Sequence, residues 1–88
     1  MCTMIAERAK LSGSAKGPRG WFQLDRANVT YDHPFNLSIE HSLNIDFVNE
    51  SLGPDSRIAV ELDPESARAL VNAIEDALER GLKQTGEI

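Results

Sequence analysis

Apolar and polar residues alternate along four stretches of this sequence, and helical spacing then replaces the alternation. The clearest stretch covers residues 37–47, where every second residue is apolar except His41. Period-two alternation is typical of a β-strand with one buried side and one solvent-facing side. We therefore predict four strands. The other three are residues 3–15, 21–33 and 57–62.

Two of these strands are irregular. In the second strand, the apolar residues change phase at Arg26 and Ala27, which predicts a β-bulge there. In the first strand, alanine and serine weaken the alternation, so a helix over residues 2–11 is the alternative. Residues 17–20 read Gly-Pro-Arg-Gly and predict a loop between the two strands.

A helix follows the fourth strand. Asp63 is a good N-cap, Pro64 suits the first helical position, and Glu65 favours the positive end of the helix dipole. Gly81 predicts the end of the helix, with residues 82–88 as a frayed tail. Its apolar stripe has helical spacing and comprises Ala67, Leu70, Val71, Ile74, Ala77, Leu78 and Leu82.

These elements predict one α+β domain over residues 1–88, with a four-stranded antiparallel sheet and the C-terminal helix packed on one face. Four strands span roughly 15–19 Å, whereas one helix is only about 10 Å wide. Part of the apolar sheet face is then left uncovered. A homodimer is the expected solution, because twofold dimers are the commonest oligomers. Long side chains or a ligand are the alternatives.

Composition excludes several classes of protein. The net charge of −5 argues against binding to nucleic acid or to an anionic membrane surface. The single cysteine rules out an intrachain disulfide. The chain shows neither a signal peptide nor an apolar stretch of the ~20 residues that cross a bilayer. We expect a cytoplasmic protein.

His41 is the leading candidate for chemistry, because an imidazole in the apolar phase of a strand needs a partner. It is predicted as a general base or metal ligand, and the alternative is a neutral core histidine bonded to a carbonyl or carboxylate. Glu7 interrupts the apolar phase of the first strand in the same way. If the two strands are neighbours, Glu7 orients His41; otherwise it is a solvated edge residue.

Cys2, His33 and His41 together offer the ligand types of a zinc or other divalent metal site. The spacing of the two histidines matches no established ligand motif, so His33 at a strand end facing water is the alternative. Cys2 has two further interpretations. It is a nucleophile if Met1 is removed, or a thiol without a role.

Two aromatic residues are candidate contacts for a ligand or partner. Trp21 follows a loop glycine and is predicted as an exposed anchor, with a cap over the helix end as the alternative. Tyr31 shares its strand phase with His33.

The second half of the chain has a pattern of an apolar strand, a turn, another strand and a capped helix. The residues of this pattern are Leu43, Asn44, Ile45, Asp46, Phe47, Ile58, Ala59, Val60, Pro64, Glu65, Ser66, Ala67, Leu70, Ala73, Gly86, Glu87 and Ile88. In these residues the chain resembles a group of small uncharacterised bacterial proteins of unknown function. The resemblance implies the same fold and implies no mechanism.

Two functions follow from these observations. The first is a small dimeric accessory or binding protein that uses a partly uncovered sheet face for a small molecule or a protein. The second is a small metal-dependent or acid–base enzyme centred on His41, with Glu7, His33 and Cys2 as helpers.

Overall fold

The computed structural model describes residues 5–86 and confirms the α+β fold: a four-stranded antiparallel sheet followed by one C-terminal helix. A short 3₁₀ turn joins the third and fourth strands. The elements are β1 (Ile5–Gly17), β2 (Gly20–Asp32), β3 (Ser42–Val48), the 3₁₀ turn (Glu50–Leu52), β4 (Arg57–Leu62) and α1 (Pro64–Thr85). Within these residues, no helix is long and apolar enough to span a lipid bilayer.

The strands lie in the order β1-β2-β3-β4, and their register aligns apolar side chains in rows across one face. Side chains alternate between faces along a strand, so residues directly opposite each other share a face. The helix packs on this apolar face. The rows of the apolar sheet face are Ala27–Phe47–Ile58, Val29–Ile45–Val60 and Tyr31–Leu43–Leu62.

The prediction of a strand over residues 37–47 is wrong for its first five residues, since β3 begins at Ser42. Residues 35–40 form bends instead. The physical reason is a competing acceptor. The backbone N–H groups of Phe35, Asn36 and Leu37 donate to the Glu61 carboxylate rather than to a neighbouring strand. His41 therefore lies just outside the sheet and is half-buried.

The bulge lies beside its predicted position, but the extra residue is in β1. Lys10 pairs with Arg26 and Gly13 pairs with Leu24, so three steps along β1 match two along β2. A bulge increases the local twist of a strand. Arg19, near the tip of the β1–β2 hairpin, lies 3.5 Å from Asp55 in the β3–β4 connection. Residues 5–11 are strand, so the helix alternative is wrong there.

Helix α1 begins as predicted but ends later. The Asp63 side chain accepts a hydrogen bond from the Ser66 N–H at 2.7 Å. The prediction that Gly81 ends the helix is wrong, because α1 continues to Thr85. Residues 82–85, which were predicted as part of a frayed tail, are helical. The C-cap is Gly86, whose φ of 72° is left-handed. A single glycine within a helix weakens it by about 1 kcal/mol without breaking it.

The core of the described chain is small. Its buried apolar side chains are Leu24 and Ala27, and α1 buries none of its own. The radius of gyration is 15.0 Å, against about 12 Å for a compact chain of this length. The helix and the sheet therefore lie against each other without closing a core.

Candidate binding cleft

An apolar cleft of about 420 Å³ separates α1 from the sheet. The helix side is its first half, residues 64–74, and the sheet side is built from the ends of the apolar rows. Because strand register puts these side chains on one face, the cleft walls are continuous. The lining residues are Val29, Tyr31, Leu43, Ile45, Leu62, Pro64, Ala67, Arg68, Leu70, Val71 and Ile74.

The apolar stripe of α1 lies largely in solvent. Leu70 is 43% exposed, Ile74 50% and Leu78 58%. Burying such side chains stabilises a protein by about 1.5–3 kcal/mol each. The chain would therefore gain stability if these residues were covered. The sequence identified this stripe correctly but predicted it as core. In the structure it borders an open cleft.

Three rings form a stack at the end of the cleft. Tyr31 and His41 have ring centroids 5.4 Å apart with planes inclined by 5°. His33 and His41 are 4.9 Å apart and inclined by 26°. His33 Nδ1 is 2.7 Å from the carbonyl oxygen of Glu40, which holds the loop against the strand end. The structure therefore brings together three of the residues that the sequence singled out.

The orientation of the stacked rings does not suit the predicted metal site. The lone pair of an imidazole nitrogen lies in the plane of its ring, so two nearly parallel stacked rings do not aim at a common ion. In residues 5–86, no group of three or more His, Cys, Asp or Glu side chains is placed to hold a metal ion. Cys2 lies outside the described residues, so its predicted role as a ligand or nucleophile stays a prediction.

Glu7 and His41 are not on neighbouring strands. The sheet order puts β2 between β1 and β3, and Glu7 is exposed on the edge strand opposite Val29. The condition under which Glu7 was expected to orient His41 is therefore not met. The solvated edge residue, which was the alternative, describes its position.

The two aromatic contact candidates lie at different places. Tyr31 lines the cleft. Trp21 is 70% exposed near the hairpin tip, beside Leu52 and Asp55 of the β3–β4 connection. Trp21 is therefore exposed and lines a separate surface depression from Tyr31, and its role as a contact for a ligand or partner stays a prediction.

Sequence reasoning missed the polar contacts that hold the loops. The carboxylate of Glu61 accepts from the N–H groups of Phe35 at 2.5 Å, Asn36 at 3.0 Å and Leu37 at 3.1 Å. These bonds, the one from Phe35 most of all, hold the pKa of Glu61 below its ordinary value. The side chain of Asn49 donates to the carbonyl oxygen of Gln23 at 2.8 Å. The alternation of apolar and polar residues did not indicate that Asn49 is buried.

This fold and cleft define a class: a small α+β protein whose single helix leaves an apolar cleft open against the sheet. The chain belongs to the family of unknown function DUF6295, whose model matches residues 1–87. That membership agrees with the resemblance to small uncharacterised proteins. No curated protein and no solved structure matches the chain significantly.

Proposed function

We propose that this chain is a small accessory protein that acts by binding and that works as a homodimer. The observation that carries the proposal is the incomplete burial of α1 and of the sheet face on which it packs. Each is amphipathic, and an amphipathic element is stable when its apolar side is covered. A second copy supplies that cover, and the assembled protein then has a closed core.

The exposed area supports this proposal. The chain has 7003 Å² of accessible surface, whereas a compact monomer of its mass has about 5,100 Å². The excess of roughly 1,900 Å² exceeds the ~800 Å² that each partner contributes to an ordinary specific interface. The described residues expose large apolar side chains, among them Ile5, Ile74 and Leu78. The surface therefore suffices for a stable dimer.

Light scattering coupled to size exclusion tests the dimer directly. At micromolar concentration we expect about 19 kDa, twice the chain mass of 9.7 kDa. A mass of one chain at every concentration, with the helix and sheet signals of a folded protein, would contradict the proposal.

A metal-dependent or acid–base enzyme centred on His41 is the second candidate. The contact of His41 with His33 and Tyr31 favours the acid–base form of this candidate, because it places two imidazole rings beside Tyr31, which lines the cleft. Metal analysis of protein purified without a histidine tag tests it. Stoichiometric zinc that is lost in His41→Ala supports this candidate. Metal-free protein, with a folded His41→Ala variant of unchanged properties, removes the metal-dependent form.

A further inference from the structure

We infer that the second half of α1 in each copy packs on the open β1–β2 side of the partner's apolar sheet face. The inference rests on the proposed homodimer and identifies the surfaces that meet. Each copy carries both surfaces, so a twofold axis exchanges them and two equal contacts form.

The second half of α1 lies outside the cleft. The residues that line the cleft end at Ile74, yet α1 continues to Thr85. Eleven further residues add about 16 Å of helix. Leu78 lies in this second half and is the most exposed of the large apolar residues on α1, at 58%. An apolar stripe that is left in solvent is a surface for another chain.

The sheet offers a matching open area. Ile5 on the edge strand is opposite Tyr31 and shares its face, and it is 52% exposed. Ala9 continues that face and is opposite the buried Ala27. Two packed helices lie 8–10 Å apart, so two side by side cover the ~15–19 Å of four strands. The partner's helix fits beside α1.

The charged residues of β1 divide between its two faces. Glu7 lies on the same face as Ile5 and Ala9, whereas Arg8 and Lys10 lie on the other face with Ala6. Arg8 and Lys10 therefore point away from the proposed contact, and the contact rests on burial of apolar side chains.

A dimer formed by pairing of two β1 edge strands is the alternative contact, and it accounts for less of the exposed apolar surface. It satisfies backbone groups along the edge but leaves the α1 stripe and the open sheet face in water. The extra residue between Lys10 and Gly13 also interrupts the straight edge that such pairing needs. Contact between helix and sheet buries both exposed surfaces at once.

Matched lysine variants test the contact by light scattering over a dilution series. Leu78→Lys and Ile5→Lys should weaken dimerisation at least tenfold. Their controls make the same charge change on the opposite sides of the same elements: Asn72→Lys on the polar side of α1, and Ala6→Lys on the other face of β1. The controls should dimerise like the original chain. Circular dichroism confirms that each variant is folded.

The outcomes separate the two proposals. A monomeric original chain overturns both. A dimeric original chain whose Leu78→Lys and Ile5→Lys variants dimerise normally overturns the contact and leaves the dimer. Weakening in all four variants also overturns the contact. If a variant unfolds, Leu78→Cys with Ile5→Cys in a Cys2→Ser background replaces it. A short bis-maleimide should then link two protomers, and a dimer that stays unlinked counts against the contact.

Discussion

At the scale of single residues, a few polar side chains hold the loops and strand ends in place. Glu61 binds three consecutive backbone N–H groups of the β2–β3 loop. Ser42 is fully buried and donates to the side chain of Asn44 at 2.6 Å and to the carbonyl oxygen of Asp32 at 3.3 Å. The alternation predicted Ser42 on the solvent side, and its hydrogen bonds explain why it is buried instead.

Replacing Glu61 by Gln should loosen the β2–β3 loop, because the amide oxygen is a weaker acceptor than a carboxylate. The pKa of Glu61 is lowered in the folded protein, so its ionised form stabilises the fold above the pKa of the unfolded chain. That stabilisation is lost as pH falls through the folded pKa. Urea unfolding between pH 7 and pH 3 should show a smaller acid-induced loss for Glu61→Gln than for the original chain.

The control is Glu75→Gln on the exposed surface of α1. It should follow the pH dependence of the original chain. Identical pH dependence in Glu61→Gln and the original chain would show that the loop contact contributes nothing to stability.

Replacing Ser42 by Ala should destabilise the fold by about 1–3 kcal/mol, because the acceptors on Asp32 and Asn44 lose a buried donor. Chemical denaturation at one fixed protein concentration measures the change. Ser38→Ala in the exposed loop is the matched control and should be neutral. A neutral Ser42→Ala would mean that its hydroxyl is replaced by water.

At the scale of elements, local signals predicted where β4 lies and where α1 begins, but not where β3 begins or where α1 ends. The start of α1 depends on Asp63 and Pro64, whose effects are local. The start of β3 depends on Glu61, which is distant in sequence from the loop it binds. Gly81 reads as a terminator, yet the true C-cap is Gly86.

Replacing Gly81 by Ala should raise the free energy of unfolding by about 1 kcal/mol. A methyl group at this position meets no atom within 4 Å, so only the backbone preference changes. Gly86→Ala is the contrasting variant, and its left-handed φ of 72° makes the same substitution unfavourable. Denaturation of both variants at equal concentration should give opposite signs. A destabilised Gly81→Ala would contradict this prediction and would show that its surroundings in the dimer leave no room for a methyl group.

At the scale of the whole molecule, stability should depend on protein concentration. If the core closes only on dimerisation, mass action raises the midpoint of thermal unfolding as concentration rises. Calorimetry over a hundredfold range of concentration measures this. The Leu78→Lys variant should show a lower midpoint than the original chain at every concentration. A constant midpoint for the original chain would mean that its open helix and sheet are stable alone.

The sequence by itself determined the order and type of the elements, because hydrophobic period, capping and turn residues act over a few neighbouring positions. It also indicated that one helix is too narrow for four strands. The tertiary structure decided the rest. Strand order separated Glu7 from His41, the Glu61 loop stacked His33 on His41, and the open packing of α1 on the sheet left Leu78 in solvent. Those contacts join residues distant in the chain, so no local pattern encodes them.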